Sequence, residues 1–132
     1  EGQIFNGKTF FRPYKTDLGT AKHSVVLSSP KLYNAERNSL VEYLMNLSSQ
    51  GIEVLVLTHT ANEQTEYLQR KGLSVKIIPT LSLCTTIIDK TIVWYGAINA
   101  LGYTSEEDNV IKVTDNNLAD ELTNALLSCN SA

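Results

Sequence analysis

Apolar residues fall in two rhythms along this chain, one with the period of a helix and one continuous or alternating as in a strand. Tyr14, Leu18 and Ala21 recur at helical spacing, with Pro13 near an N-terminal position that tolerates its missing N–H and Gly19 weakening the pattern. The run SVVLSS, closed by Pro30, reads as a buried strand. From Asn34 onward, Leu40, Tyr43, Leu44 and Leu47 share one helical stripe, with Asn34 as the expected N-cap and Gly51 as the left-handed stop. IEVLVLT follows as an unbroken apolar strand of the kind covered on both faces. The device then repeats: Thr60 and Glu63 have capping-box spacing, Tyr67 and Leu68 supply apolar contact, Gly72 stops the helix, and LSVKIIP is the next strand.

Two successive units of helix, glycine and strand predict right-handed crossovers in a parallel sheet. Past residue 80 the rhythm changes. Leu83–Asp89, Thr91–Ile98 and Val110–Val113 are strand-like with no helical segment between them, so they pair antiparallel or lie at an edge, with a tight Asp89-Lys90 turn joining the first two. A last helix, capped by Asn116 or Asn117 with Asp120 and Glu121 in its first turn, turns Leu118, Leu122, Ala125 and Leu126 to the core. The expected class is α/β: a mixed, largely parallel sheet with helices on both faces and antiparallel strands in the C-terminal half.

At 132 residues the chain is one domain, 1–132, able to bury roughly two-thirds of its unfolded surface. Its 42% apolar and 19% charged content excludes disordered and collagen-like classes. A net charge of −3 argues against a surface built mainly for phosphate. Locally, Lys8, Arg12, Lys15 and Lys22 outnumber Glu1 and Asp17 near the start, which makes Lys8, Arg12 and Lys15 a candidate nucleic-acid patch beside the plainer reading of a solvated face. No apolar run approaches a membrane span, and the first residues do not read as a charged-then-apolar leader. Cys84, in an apolar run, and Cys129, in the tail, make neither a disulfide framework nor a zinc site, so a reducing, cytoplasmic setting is expected. Met45 is the one methionine, as in a piece of a larger protein or a chain trimmed of a tag or leader.

Chemistry concentrates in the segment from Ser82 to Asn109. The order IIDK, WYGAIN, SEEDN, strand and C-terminal helix resembles the phospholipase D superfamily of HKD phosphodiesterases, above all its single-repeat nuclease-type members and the domains appended to helicases and restriction-type proteins. In that family a half-site reads His-x-Lys-x4-Asp followed by Gly-Ser-x-Asn. Counting back from Asp89, Ser82 stands at the histidine and Cys84 at the lysine; Gly96 and Asn99 match, and Ala97 replaces the serine. The carboxylate that orients the histidine falls at Asp108, with Glu107 as the neighbouring choice.

The resemblance implies a histidine that attacks phosphorus, a second from a partner repeat that protonates the leaving oxygen, and a lysine and asparagine that hold the phosphate oxygens. One repeat per chain implies a homodimer across the site or a partner domain. Serine lacks an imidazole and cysteine a positive charge, so Ser82, Cys84, Asp89, Gly96, Asn99 and Asp108 are expected to be vestigial active-site positions. The expected function is that of a degenerate module in a larger bacterial helicase or restriction–repair protein, associating with other domains or nucleic acid. Two alternatives are an active nuclease with a non-standard site, such as a Cys84 thiolate, and a purely structural docking domain. Plainer readings stand beside these: Cys84 as an inert buried residue, Asp89 as a turn former, Gly96 as a bulge and Asn99 as a strand terminator. His59, at the carboxyl edge of a buried strand, and His23, at a helix–strand junction, are the other acid–base candidates, and the three acids of SEEDN read as a solvated hairpin. No metal or cofactor pattern is present.

Overall fold

The computed structural model describes residues 2–128, which leaves Cys129 outside. Within them the chain runs β1 (Gln3–Asn6), α1 (Phe11–Gly19), β2 (Ser24–Ser28), one 3₁₀ turn (Ala35–Arg37), α2 (Ser39–Ser49), β3 (Glu53–Thr58), α3 (Glu63–Arg70), β4 (Ser74–Ile77), β5 (Cys84–Ile88), β6 (Ile92–Gly96), β7 (Asn109–Thr114) and α4 (Asn116–Leu127). The strands form a single seven-stranded sheet ordered β1-β7-β6-β5-β2-β3-β4.

The helical units β2-α2-β3 and β3-α3-β4 give the parallel pairings. Every other neighbouring pair is antiparallel, including β5 against the central β2. The parallel portion is therefore smaller than the sequence pattern suggested. The reason lies at both ends of the chain: the polar start QIFN is a strand that pairs with β7, and the three late strands extend the sheet by hairpin geometry. β1 escapes the strand rhythm because it is an exposed edge with little apolar alternation.

Side-chain alternation divides the core in two. Val25, Leu27, Val54, Val56, Ile88 and Trp94 face Tyr14, Leu18, Leu40, Leu44 and Leu68, the apolar stripes of α1, α2 and α3. Leu57, Ile78, Ile87 and Val93 pack on the opposite face with Ala119 and Leu126 of α4. Tyr14 and Thr86 share a buried 2.8 Å hydrogen bond between hydroxyls, and Trp94 Nε1 donates to Asp17 Oδ2, which also meets Lys112 Nζ at 2.8 Å. These bonds satisfy the polar groups that α1 brings onto the sheet.

Helix boundaries moved where several capping residues compete. α2 is capped by Asn38, whose side chain accepts from Leu40 and Val41 N–H, while Asn34 takes a left-handed conformation before the 3₁₀ turn. The box on α3 is Asn62 with Thr65, so Thr60 and Glu63 do not form it. Asp115 caps α4, which leaves Asp120 and Glu121 beyond its first turn and buries Ala119 where Ala125 was expected. α1 ends at Gly19, so Ala21 lies past it.

Candidate functional site

β5 runs antiparallel to β2, which brings Cys84, the first residue of β5, to the carboxyl end of β2. Ser28 fastens this junction: its hydroxyl donates to Leu83 O at 2.7 Å and accepts from Thr85 N–H at 2.9 Å. The clamp fixes the backbone on both sides of position 84. Ser82 and Cys84 consequently open into the same recess, of about 620 Å³, shared with Asn99, Gly102, Tyr103 and the segment Pro30–Tyr33.

Asn99 is held tightly. Its Oδ1 accepts from Ser29 Oγ at 2.9 Å and Lys31 N–H at 3.3 Å, and its Nδ2 donates to Lys31 O at 2.9 Å. Ser29 Oγ also accepts from Leu101 N–H, so the loops after β2 and β6 are tied to each other through one amide and one hydroxyl. Gly102 is required here, because a Cβ would stand 1.8 Å from Asn99 Nδ2. Gly96 is the cross-strand partner of Cys84, and a Cβ on it would lie 2.4 Å from Asn109 O, so only glycine allows β7 this close.

Asp108 lies in the loop just before β7, with its Oδ2 accepting from Ser105 N–H, while Glu107 accepts from Ser105 Oγ. Half-burial, together with the Asp108 carboxylate, pushes the Cys84 thiol above its ordinary pKa. Neither Asp108 nor Glu107 is among the residues that line the recess itself. Cys84 is half-buried and lines the opening, so it is not sealed in the core as an ordinary free cysteine would be.

Asp89 sits at the other end of β5, roughly 17 Å away by strand rise. Its carboxylate accepts from the N–H groups of Lys22, His23 and Ser24, and both Asp89 and Lys90 have positive φ as the central residues of a turn closed by Thr91 N–H on Ile88 O, in a three-residue connection between the paired Ile88 and Ile92. Partial burial works against ionisation, but the three backbone bonds outweigh it and hold the carboxyl below its usual value. His23 is at this distant end; His59 is at the near edge, bonded to Thr60 and lining a neighbouring recess with Asn62 and Lys31. Lys8, Arg12 and Lys15 are exposed on the β1–α1 turn and α1, and none lines the Ser82–Cys84 recess.

Sequence reasoning missed Ser29, Lys31, Tyr33, Gly102 and Tyr103. A signal existed in SSPKLY, which follows a buried strand at the carboxyl edge where open α/β sheets place their sites. Among the described residues no three His, Cys, Asp or Glu side chains gather as a metal would need, and no helix is long and apolar enough to cross a membrane.

No family model and no curated protein matches the sequence. Solved structures do. The chain is similar to NucT from Helicobacter pylori, at 17% identity and a TM-score of 0.79, over 100% of this chain and 99% of that one. It is similar to Nuc from Salmonella typhimurium, a phospholipase D family member, at 14% identity and 0.73, over 100% and 99%. It also resembles TrmBL2, an archaeal chromatin protein with a novel mode of DNA binding, at 13% identity and 0.69, over 96% of this chain and 50% of that one. The fold is that of the phospholipase D superfamily.

Proposed function

We propose that this phospholipase D-fold chain is a nuclease-like domain that has lost its phosphodiester chemistry and serves as a nucleic-acid-associated module of a larger bacterial protein, of the helicase or restriction–repair kind. The supporting observation is the recess itself, where a hydroxyl at position 82 and a thiol at position 84 open beside Asn99, with the Asp108 carboxylate acting on Cys84. Neither group replaces an imidazole nucleophile beside an ammonium. Losing an activated nucleophile alone lowers turnover by about 10⁶, or about 8 kcal/mol of barrier.

The alternative of an active site built on Cys84 needs a thiolate. Half-burial and the Asp108 charge oppose one, since both favour the neutral thiol. A docking reading has its own support: Ile4, Ile111 and Tyr95 are exposed and in register across β1, β7 and β6, a continuous apolar row suited to a neighbouring domain or a second copy. Sedimentation of the natural chain and of Ile111→Lys separates that role, because self-association through the row would be lost in the variant.

The main reading is tested with labelled single-stranded and duplex oligonucleotides in chelator. Binding should weaken with salt, the combined Lys8→Glu, Arg12→Glu and Lys15→Glu variant should bind less well, and the strands should be recovered at full length. Cleavage of the strands, or tight binding indifferent to the charge reversals, would defeat it.

A further inference from the structure

Lys31 is exposed on the rim that separates the Ser82–Cys84 recess from the smaller one containing His59, and it lines both. Among the residues lining the larger recess it is the only lysine or arginine. Beside it stand two tyrosines from different loops, Tyr33 and Tyr103, stacked with ring centroids 4.0 Å apart and planes inclined by 33°. They are 47% and 71% exposed, so the core gains little from either. Large aromatic rings left in water on a loop usually have some use for their faces.

The loops that carry them are already ordered. Tyr33 N–H donates to Leu101 O at 2.8 Å, and the Ser29–Asn99–Lys31 bonds lie directly beneath. A ligand stacking on Tyr103 would therefore meet a fixed surface and give up little loop entropy on binding. The floor of the recess is a poor place for phosphate: positions 82 and 84 carry no cation, and the Asp108 carboxylate acts on Cys84. Phosphate belongs at the rim with Lys31, and a flat, weakly polar ring belongs on the tyrosine side, against Pro30 and Leu32.

We infer that this recess is a nucleotide subsite for single-stranded nucleic acid, in which the Tyr33–Tyr103 pair stacks one unpaired base and Lys31 holds the adjoining phosphate. A duplex keeps its base faces covered, whereas every unpaired base offers one regardless of sequence. The inference rests on the proposed nucleic-acid role and specifies where and by which groups a strand is held.

Fluorescence anisotropy with a labelled oligothymidylate and an abasic strand of equal length tests it on the full chain. The oligothymidylate should bind about five-fold or more tightly than the abasic strand. Tyr33→Ala with Tyr103→Ala should erase that difference, and Tyr33→Phe with Tyr103→Phe should keep it. Lys31→Gln should weaken both strands alike and flatten the logarithmic salt dependence by about 0.7. Equal binding of the two strands by the natural chain, or a base preference that survives the double alanine variant, would overturn the stacking subsite while leaving the proposed function standing. Failure to bind either strand would overturn both.

Discussion

The two ends of β5 have opposite characters. At the Asp89 end the carboxylate is fully engaged: three backbone N–H groups converge on it, and Asp89 and Lys90 take the positive φ values of the turn that Thr91 N–H closes on Ile88 O. At the Cys84 end the backbone is equally well fixed, by Ser28, but the side chains at 82 and 84 project into open space. One strand thus separates what the fold requires from what only chemistry would require. On the proposed reading, Asp89, Gly96 and Asn99 are kept because they satisfy backbone groups or allow close approach, and positions 82 and 84 are where only phosphorus chemistry would have a claim.

That contrast can be pushed from the chemical side first, where the effect is largest. Ser82→His with Cys84→Lys supplies a nucleophile and a phosphate cation in otherwise unchanged surroundings, and should raise metal-independent cleavage of a model phosphodiester about 100-fold or more above background. A folded but inert double variant would mean that the surroundings have decayed as well. Next comes the hairpin junction: Gly96→Val drives side-chain atoms into the Asn109 carbonyl and should cost about 3 kcal/mol or more in denaturant unfolding. Native-like stability would show that β6 and β7 are not packed this closely.

Asp89→Ala should cost about 2 kcal/mol, because it removes charge-assisted bonds and leaves three N–H groups to find other acceptors. The pH dependence has a definite sign. The folded carboxyl sits below its ordinary value of 3.8, so its contribution is complete above that value and is lost as pH falls through the lowered one. Between about pH 4 and pH 2 the natural chain should therefore lose more stability than Asp89→Asn. The smallest effect belongs to the open end: Ser82→Ala and Cys84→Ala should each change stability by about 0.5 kcal/mol or less. A large loss there would give those side chains a structural duty.

Much of the architecture was legible because periodicity reports burial. The stripe Leu40, Tyr43, Leu44 and Leu47 and the runs IEVLVLT and LSVKIIP became helix and strands where expected, since a glycine separates helix from strand in each unit and each element had apolar side chains to hide. β1 was illegible for the converse reason: a four-residue edge strand that puts only Phe5 partly against the core has too little burial to impose alternation. Capping positions went astray because Asn and Thr cluster ahead of each helix, and only tertiary placement decides which side chain reaches the free N–H groups. At the site, Ser82, Cys84 and Asn99 could be grouped through the spacing of a known motif. Lys31, Tyr33 and Tyr103 could not, because they reach the recess from segments about 70 residues apart that only the sheet order brings together.

The most direct measurement is the rate at which the natural chain cleaves a model phosphodiester in chelator, compared with Cys84→Ala. With no imidazole at position 82 and no ammonium at position 84, both proteins should remain at the uncatalysed background. Multiple turnovers by the natural chain that disappear in Cys84→Ala would contradict the account.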